Sequence, residues 1–105
     1  MNDERLIRKW MSKWEGGNSQ VWEYTVSLRT LVIRIMSEKQ SGNLHVICLD
    51  TQFICGPLKW PACHFELDRV IDQQGDNQYL VRDDTAGFLV RCGKVEVKEN
   101  VKPIF

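Results

Sequence analysis

The chain has 105 residues, 43% of them hydrophobic and 27% charged, with fourteen Lys and Arg balancing fourteen Asp and Glu. Those figures describe one ordinary globular domain, long enough to bury a core without disulfide or metal staples. A formal net charge of zero gives no general pull towards nucleic acid, anionic membranes or acidic substrates, and leaves little repulsion against self-association.

Residues 3–15 read as a helix. Asn2 or Asp3 can cap it and Gly16-Gly17 can end it. Leu6, Ile7, Trp10, Met11 and Trp14 recur at helical spacing and make one apolar stripe, which a helix this short needs to bury against something. The first fifteen residues carry seven charged side chains and no apolar core segment, so they do not form a signal peptide. No run approaches the roughly 20 apolar residues of a membrane span. The chain as written is therefore expected to be soluble and cytoplasmic, where cysteines stay reduced.

From Gln20 the period changes to two. Trp22, Tyr24, Val26 and Leu28 share one face of a predicted half-buried strand. Leu31, Ile33 and Ile35 then continue on odd numbers, so a turn or bulge must reset the phase near Arg29-Thr30. Residues 37–43 form a polar hairpin loop. Residues 44–49 are apolar on both faces apart from His45, the pattern of a central strand covered on both sides. A short strand is expected over 53–58, then an irregular edge around Trp60, because Pro57 and Pro61 cannot sit in a central strand.

Residues 65–71 fit a strand better than a short helix, and 73–77 are a turn cluster. Residues 79–91 give the clearest hairpin. With its turn at 84–87, Val81 falls opposite Val90, Tyr79 opposite Cys92, and Phe88 joins their face. Gly93 is expected to break that run, leaving Val95 and Val97 in a last strand. The predicted fold class is α+β: an N-terminal helix (1–17) packed on a curled, mostly antiparallel sheet (20–98), and a tail (99–105), all in one compact domain. The sheet is expected as a meander of six to eight strands, open or closed into a small barrel.

Asn43 to Phe65 holds both histidines and three of the four cysteines. A zinc site would need a tetrahedral set, usually built on a C-x-x-C pair, and there is none. Cys48, Cys55, Cys63 and Cys92 are read as small buried hydrophobes rather than ligands, and no metal or other cofactor is assigned. A nucleophilic cysteine would be Cys55 in the Cys55-Gly56-Pro57 turn, with His64 or His45 as base. No phosphate-binding, dinucleotide or serine-hydrolase motif occurs, and no catalytic residue is assigned. The segment 86–91 lacks the basic residue and second aromatic of an RNA-recognition strand.

The function expected is a non-catalytic binding or protein-interaction module, homodimeric through outward apolar residues Val32, Met36, Leu80 and Leu89. The alternatives are a small-ligand pocket or weak cysteine-dependent enzyme at the sheet mouth, lined by Cys55, Trp60, Cys63 and His64, and a structural zinc site.

Overall fold

In a computed structural model, which describes residues 3–100, the chain forms one N-terminal helix and a seven-stranded antiparallel sheet that does not close. The helix α1 (Glu4–Lys13) starts where Asp3 accepts a hydrogen bond from the Leu6 N–H, at 2.8 Å. Ile7, Met11 and Trp14 are buried, so the predicted stripe is the docking face. Polar contacts hold it there: Arg8 donates to the Leu67 carbonyl at 3.0 Å, and the Trp14 indole donates to Glu99 at 2.8 Å.

The strands are β1 (Asn18–Thr25), β2 (Thr30–Met36), β3 (Leu44–Cys55), β4 (Lys59–Trp60), β5 (Glu66–Ile71), β6 (Asn77–Asp83) and β7 (Phe88–Glu99). Their spatial order is β4-β1-β2-β3-β7-β6-β5. Two meanders, β1-β2-β3 and β5-β6-β7, are therefore joined side by side through β3 and β7, so the expected single meander gives way to this order. The edges β4 and β5 are consecutive in sequence but form no ladder with each other; residues 61–65 span the gap. The sheet is curled and open rather than a barrel.

The hairpin β6–β7 has the predicted register, Val81 opposite Val90 and Tyr79 opposite Cys92, and Gly87 in its turn has φ +69°. Residues 66–71 form a strand, as expected. Further expectations fail. First, 22–28 is not one half-buried strand. β1 ends at Thr25 after a bulge at Trp22, and 26–29 is a turn closed by Arg29 N–H to Val26 C=O. Trp22, Tyr24, Val26 and Leu28 are left exposed. Second, residues 53–55 belong to β3, which continues through Asp50 at φ +52°. Third, Gly93 does not break β7. It lies inside the strand, where an added Cβ would come within 3.0 Å of the Asp50 carboxylate.

Asp50 and Gly93 mark a bend across both long strands. On β7, even residues (Phe88, Val90, Cys92) are buried before Gly93, and odd residues (Val95, Val97) after it. On β3, Leu44, Val46 and Cys48 face the core, and then Thr51 does. The side-chain phase flips on both strands at the same place, which curls the sheet around its core. The second face of β3 is not covered by any element among those described: Ile47 and Leu49 are only half-buried there. The expected tail beyond residue 100, with Ile104 and Phe105, and the alternative cap Asn2 lie outside the described residues.

Two glycines test the seam between β3 and the β6–β7 turn. Gly87 has open space where a Cβ would go, whereas at Gly56 (φ +131°) a Cβ would meet the Gly87 carbonyl and the Phe88 Cα, each at 2.8 Å. Gly87→Ala is expected to cost about 1 kcal/mol from the left-handed backbone alone. Gly56→Ala is expected to cost about 3 kcal/mol, since a forbidden φ and a backbone clash add. Thermal melts should therefore rank Gly56→Ala well below Gly87→Ala; equal melting temperatures would mean that the close approach at Gly56 does not hold.

Candidate functional site

The seam between the two sheet edges is organised by one carboxylate. Asp83, at the end of β6, is 1% exposed. One of its oxygens accepts from the Trp60 indole N–H at 2.8 Å and the His64 backbone N–H at 2.9 Å, and the other from Ala86 N–H at 3.4 Å. Trp60 is thereby set on Phe88 and Phe65, with centroids 4.5 and 5.7 Å away. The next residues are tied to the helix end: Cys63 N–H donates to Gly17 C=O, and Gly16 N–H to Cys63 C=O.

The four residues read as a pocket at the sheet mouth point to different surroundings. Trp60 is buried in the aromatic cluster. Cys63 is buried, and its thiol donates to the Trp14 carbonyl at 3.5 Å. His64 is exposed and pairs with Glu15, with Glu66 at 3.5 Å on its other nitrogen. Cys55 is exposed at the end of β3, opposite Leu89, and no hydrogen bond joins it to either histidine among the described residues. Burial pushes the Cys63 thiol up. A hydrogen bond with Cys92, together with burial, holds the Cys48 thiol well above its ordinary range. Both are protonated, packed thiols, poor as nucleophiles and as metal ligands. No group of three or more His, Cys, Asp or Glu side chains is placed to hold a metal ion among the described residues.

Val32, Met36, Leu80 and Leu89 all lie on the outward face, away from the helix. They form two separate pairs. Val32 and Met36 are on β2; Leu80 and Leu89 are diagonal neighbours on β6 and β7. β3 lies between β2 and β7.

Between them runs a lateral row that reads, strand by strand from β4 to β7, Lys59, Gln20, Arg34, His45 and Lys98, each opposite the next. Paired residues share a face, and at about 4.8 Å per strand the row spans roughly 19 Å without an acidic side chain. Trp22, displaced by its bulge, stacks on the Arg34 guanidinium, with Cζ 4.5 Å from the ring centroid. Among the described residues Arg34 makes no ion pair, and its Nε is buried without an acceptor. His45 is 8% exposed, and its Nε2 also has no hydrogen-bond partner. Desolvation and the neighbouring Arg34 charge lower its pKa, with Glu23 opposing. A cavity of about 670 Å³ opens at the β4 end of the row, with Gln20, Arg34, Met36, Glu38, Lys59 and Pro61 among its lining residues.

A second feature lies at the other end of β1. Trp22, Tyr24, Val26, Leu28, Phe53, Ile54 and Leu58 are seven of the nine exposed large hydrophobic residues among those described. They occupy two segments tied by backbone hydrogen bonds, Thr51 N–H to Arg29 C=O and Val21 N–H to Leu58 C=O. Arg29 and Asp50, where these segments meet, both have left-handed backbone (φ +48° and +52°), and their side chains pair at 3.7 Å.

The sequence places Arg34, with Arg82 and Arg91, on outward strand faces where they could touch phosphate, but it signals neither the burial of Asp83 nor the exposure of the 22–28 segment. The turn 26–29 has no Gly, Pro, Asn or Asp to mark it. Asp83 reads as a solvent-facing turn residue until its donors are seen. The fold and these sites define an open-sheet α+β protein with an outward cationic row and an apolar end. Comparison with protein-family models, curated proteins and solved structures finds no match.

Asp83→Ala leaves the Trp60 and His64 N–H groups buried without their acceptor, an expected loss of about 3–5 kcal/mol in denaturant unfolding. A loss under about 1 kcal/mol would show that the seam does not depend on it. His45 yields a pH dependence of defined sign. Its folded pKa lies below the ordinary 6.5, so on acidification the unfolded chain takes up the proton first. Its contribution is fully present above about pH 6.5 and is lost as pH falls through the lowered folded value. Melting temperature should thus drop on acidification in this window, with a shallower drop in His45→Gln; identical slopes would refute the assignment.

Proposed function

We propose that this protein is a non-catalytic interaction module that self-associates through the apolar end of its sheet. The observation that carries this reading is the concentration of exposed Trp22, Tyr24, Val26, Leu28, Phe53, Ile54 and Leu58 on two backbone-tied segments. Monomeric proteins rarely leave apolar side chains grouped in this way, and such patches usually mark contacts.

Backbone geometry supports the same face. β1 pairs with β4 only at Ser19 and Gln20, so the outer edge of Glu23–Thr25 has no strand partner. Phe53–Cys55 of β3 pairs with β7 alone. Unpaired edges beside apolar side chains are templates for adding a strand, and two copies related by a twofold axis can each offer the same edge. Zero formal net charge offers little opposition. The left-handed Arg29 and Asp50 fit a contact region, where backbone strain is commonly retained.

Leu28 and Leu58 are 71% and 75% exposed, so replacing them should leave the fold intact. Sedimentation velocity is expected to show a concentration-dependent dimer for the wild type. Leu28→Asp with Leu58→Asp is expected to weaken it about a hundredfold or more. A wild type that stays monomeric at high concentration overturns the reading. A dimer that survives both substitutions moves the contact to the outward face of Val32, Met36, Leu80 and Leu89.

A further inference from the structure

We propose that the cavity on the outward face is a binding site for a small organic oxyanion, with the charged group held between Arg34 and Lys59 and the apolar body resting on Met36 and Pro61. This site adjoins the apolar end, with which it shares Trp22, and goes beyond the interaction reading.

The first support is the state of Arg34. Arg29, Arg69 and Arg82 each pair with a carboxylate: Arg29 with Asp50, Arg69 with Glu4, and Arg82 with Glu66, Asp68 and Asp84. Arg34 has none among the described residues. It is half-buried and lines the cavity, with the Trp22 ring stacked on one side. A guanidinium presented this way has a planar fork of donors already oriented for an oxyanion, with little further ordering required.

The second support is Lys59, which also lines the cavity. Lys59 lies across Gln20 from Arg34, in the same row, and makes no ion pair among the described residues. Two strand spacings, about 10 Å, separate the Arg34 and Lys59 backbones, a span that their long side chains can close around one phosphate or carboxylate. Proximity of the cations is not relieved by any acid in the row. His45 and Lys98 extend it beyond the cavity.

Size and rim chemistry set the ligand class. A volume of about 670 Å³ is that of a small-molecule site. Glu38 in the lining, also without an ion pair among the described residues, repels a polyanion and accepts a hydrogen bond from a hydroxyl or amino group. The fitting ligand carries one oxyanion, an apolar or aromatic body and a donor at its far end. Polyphosphates and nucleic-acid strands do not fit that pattern.

Phenyl phosphate and inorganic phosphate are suitable probes, with benzoate as the carboxylate counterpart. Nitrogen-15 NMR would follow the Arg34 Nε–H and the backbone amides of Gln20, Arg34 and Lys59. Saturable shifts confined to these groups are expected, with phenyl phosphate binding at least about tenfold more tightly than inorganic phosphate because only it covers Met36 and Pro61. Arg34→Gln and Lys59→Gln should each weaken phenyl phosphate about tenfold or more, the loss of one charge-assisted contact, while Arg5→Gln on the exposed face of the helix should not. Lys59 is exposed on a two-residue edge strand, so its variant reads binding even if Arg34→Gln perturbs folding. Tighter benzoate than phenyl phosphate would assign the site to carboxylates, still within the proposal. Shifts that do not saturate, that spread over all cationic residues, or that survive both cavity variants would overturn it.

Discussion

The buried carboxylate of Asp83 is the constraint on which the rest of this fold depends. An open sheet has two edges, and here they are β4 and β5, joined by five residues and no ladder. Leaving such a seam to apolar packing alone would let the two-residue strand β4 detach. Asp83 prevents this by accepting from the Trp60 side chain and the His64 backbone together. Burying a carboxylate is costly, and the cost is met only because its oxygens take charge-assisted hydrogen bonds from donors that are themselves held in place. Trp60 then fills the space against Phe65 and Phe88, and Val21 can reach the Leu58 carbonyl. The cavity lining at Lys59 and Pro61 and one of the two segments of the apolar end both hang from this point.

A second constraint shapes the sheet. β3 and β7 are each twelve residues long and pair along almost their whole length. Two flat strands of that length could not enclose a core of this size. The bend at Asp50 and Gly93 solves this by turning the buried face over on both strands at once. It needs one residue in a left-handed conformation and, beside it, one without a Cβ. The same bend places Asp50 against Arg29 and so brings the β1–β2 turn alongside the later half of β3. Core geometry and the exposed apolar end are thus consequences of one local feature.

What was legible in the sequence was local and periodic. Asp3 before a 3.6-residue stripe gives the helix, and two alternating runs about a four-residue turn give the β6–β7 register to the residue. The failures share a cause. Trp22 to Leu28 alternate as a buried strand would; the change of phase near Arg29-Thr30 signalled the turn, found at 26–29, but that the Trp22 bulge and this turn leave the segment outside the core is decided only by tertiary context. Gly93 looked like a strand break because its partner, Asp50, lies 43 positions earlier on another strand. The pairing of β3 with β7, which fixes the spatial order, is non-local and leaves no signature in either segment. The Cys and His residues drew attention by chemistry, but of these the structure brings only His45 into the row, beside Arg34, Lys59 and Trp22, whose grouping depends on register rather than on any local motif.

Zero net charge is a weaker statement about partners than it first appears, because the charges are sorted in space. Glu66, Asp68 and Asp84 surround the single guanidinium of Arg82, and Glu4 pairs with both Arg8 and Arg69. Much of the acid is therefore gathered along α1, β5 and the β6 hairpin, on one side of the molecule. The row from Lys59 to Lys98 crosses the other strands without an acidic member. His45 sits in this row beside Arg34, and burial together with the Arg34 charge lowers its pKa. Potential at a cleft follows the nearest charges, since those farther than about 10 Å are screened at ordinary ionic strength. A balanced composition thus disfavours a polyanion that must meet the whole surface, but not a small anion whose charged group meets Arg34 and Lys59 while its far end meets Glu38. The distinction between these two ligand classes lies in the register of five strands, where composition has no access to it.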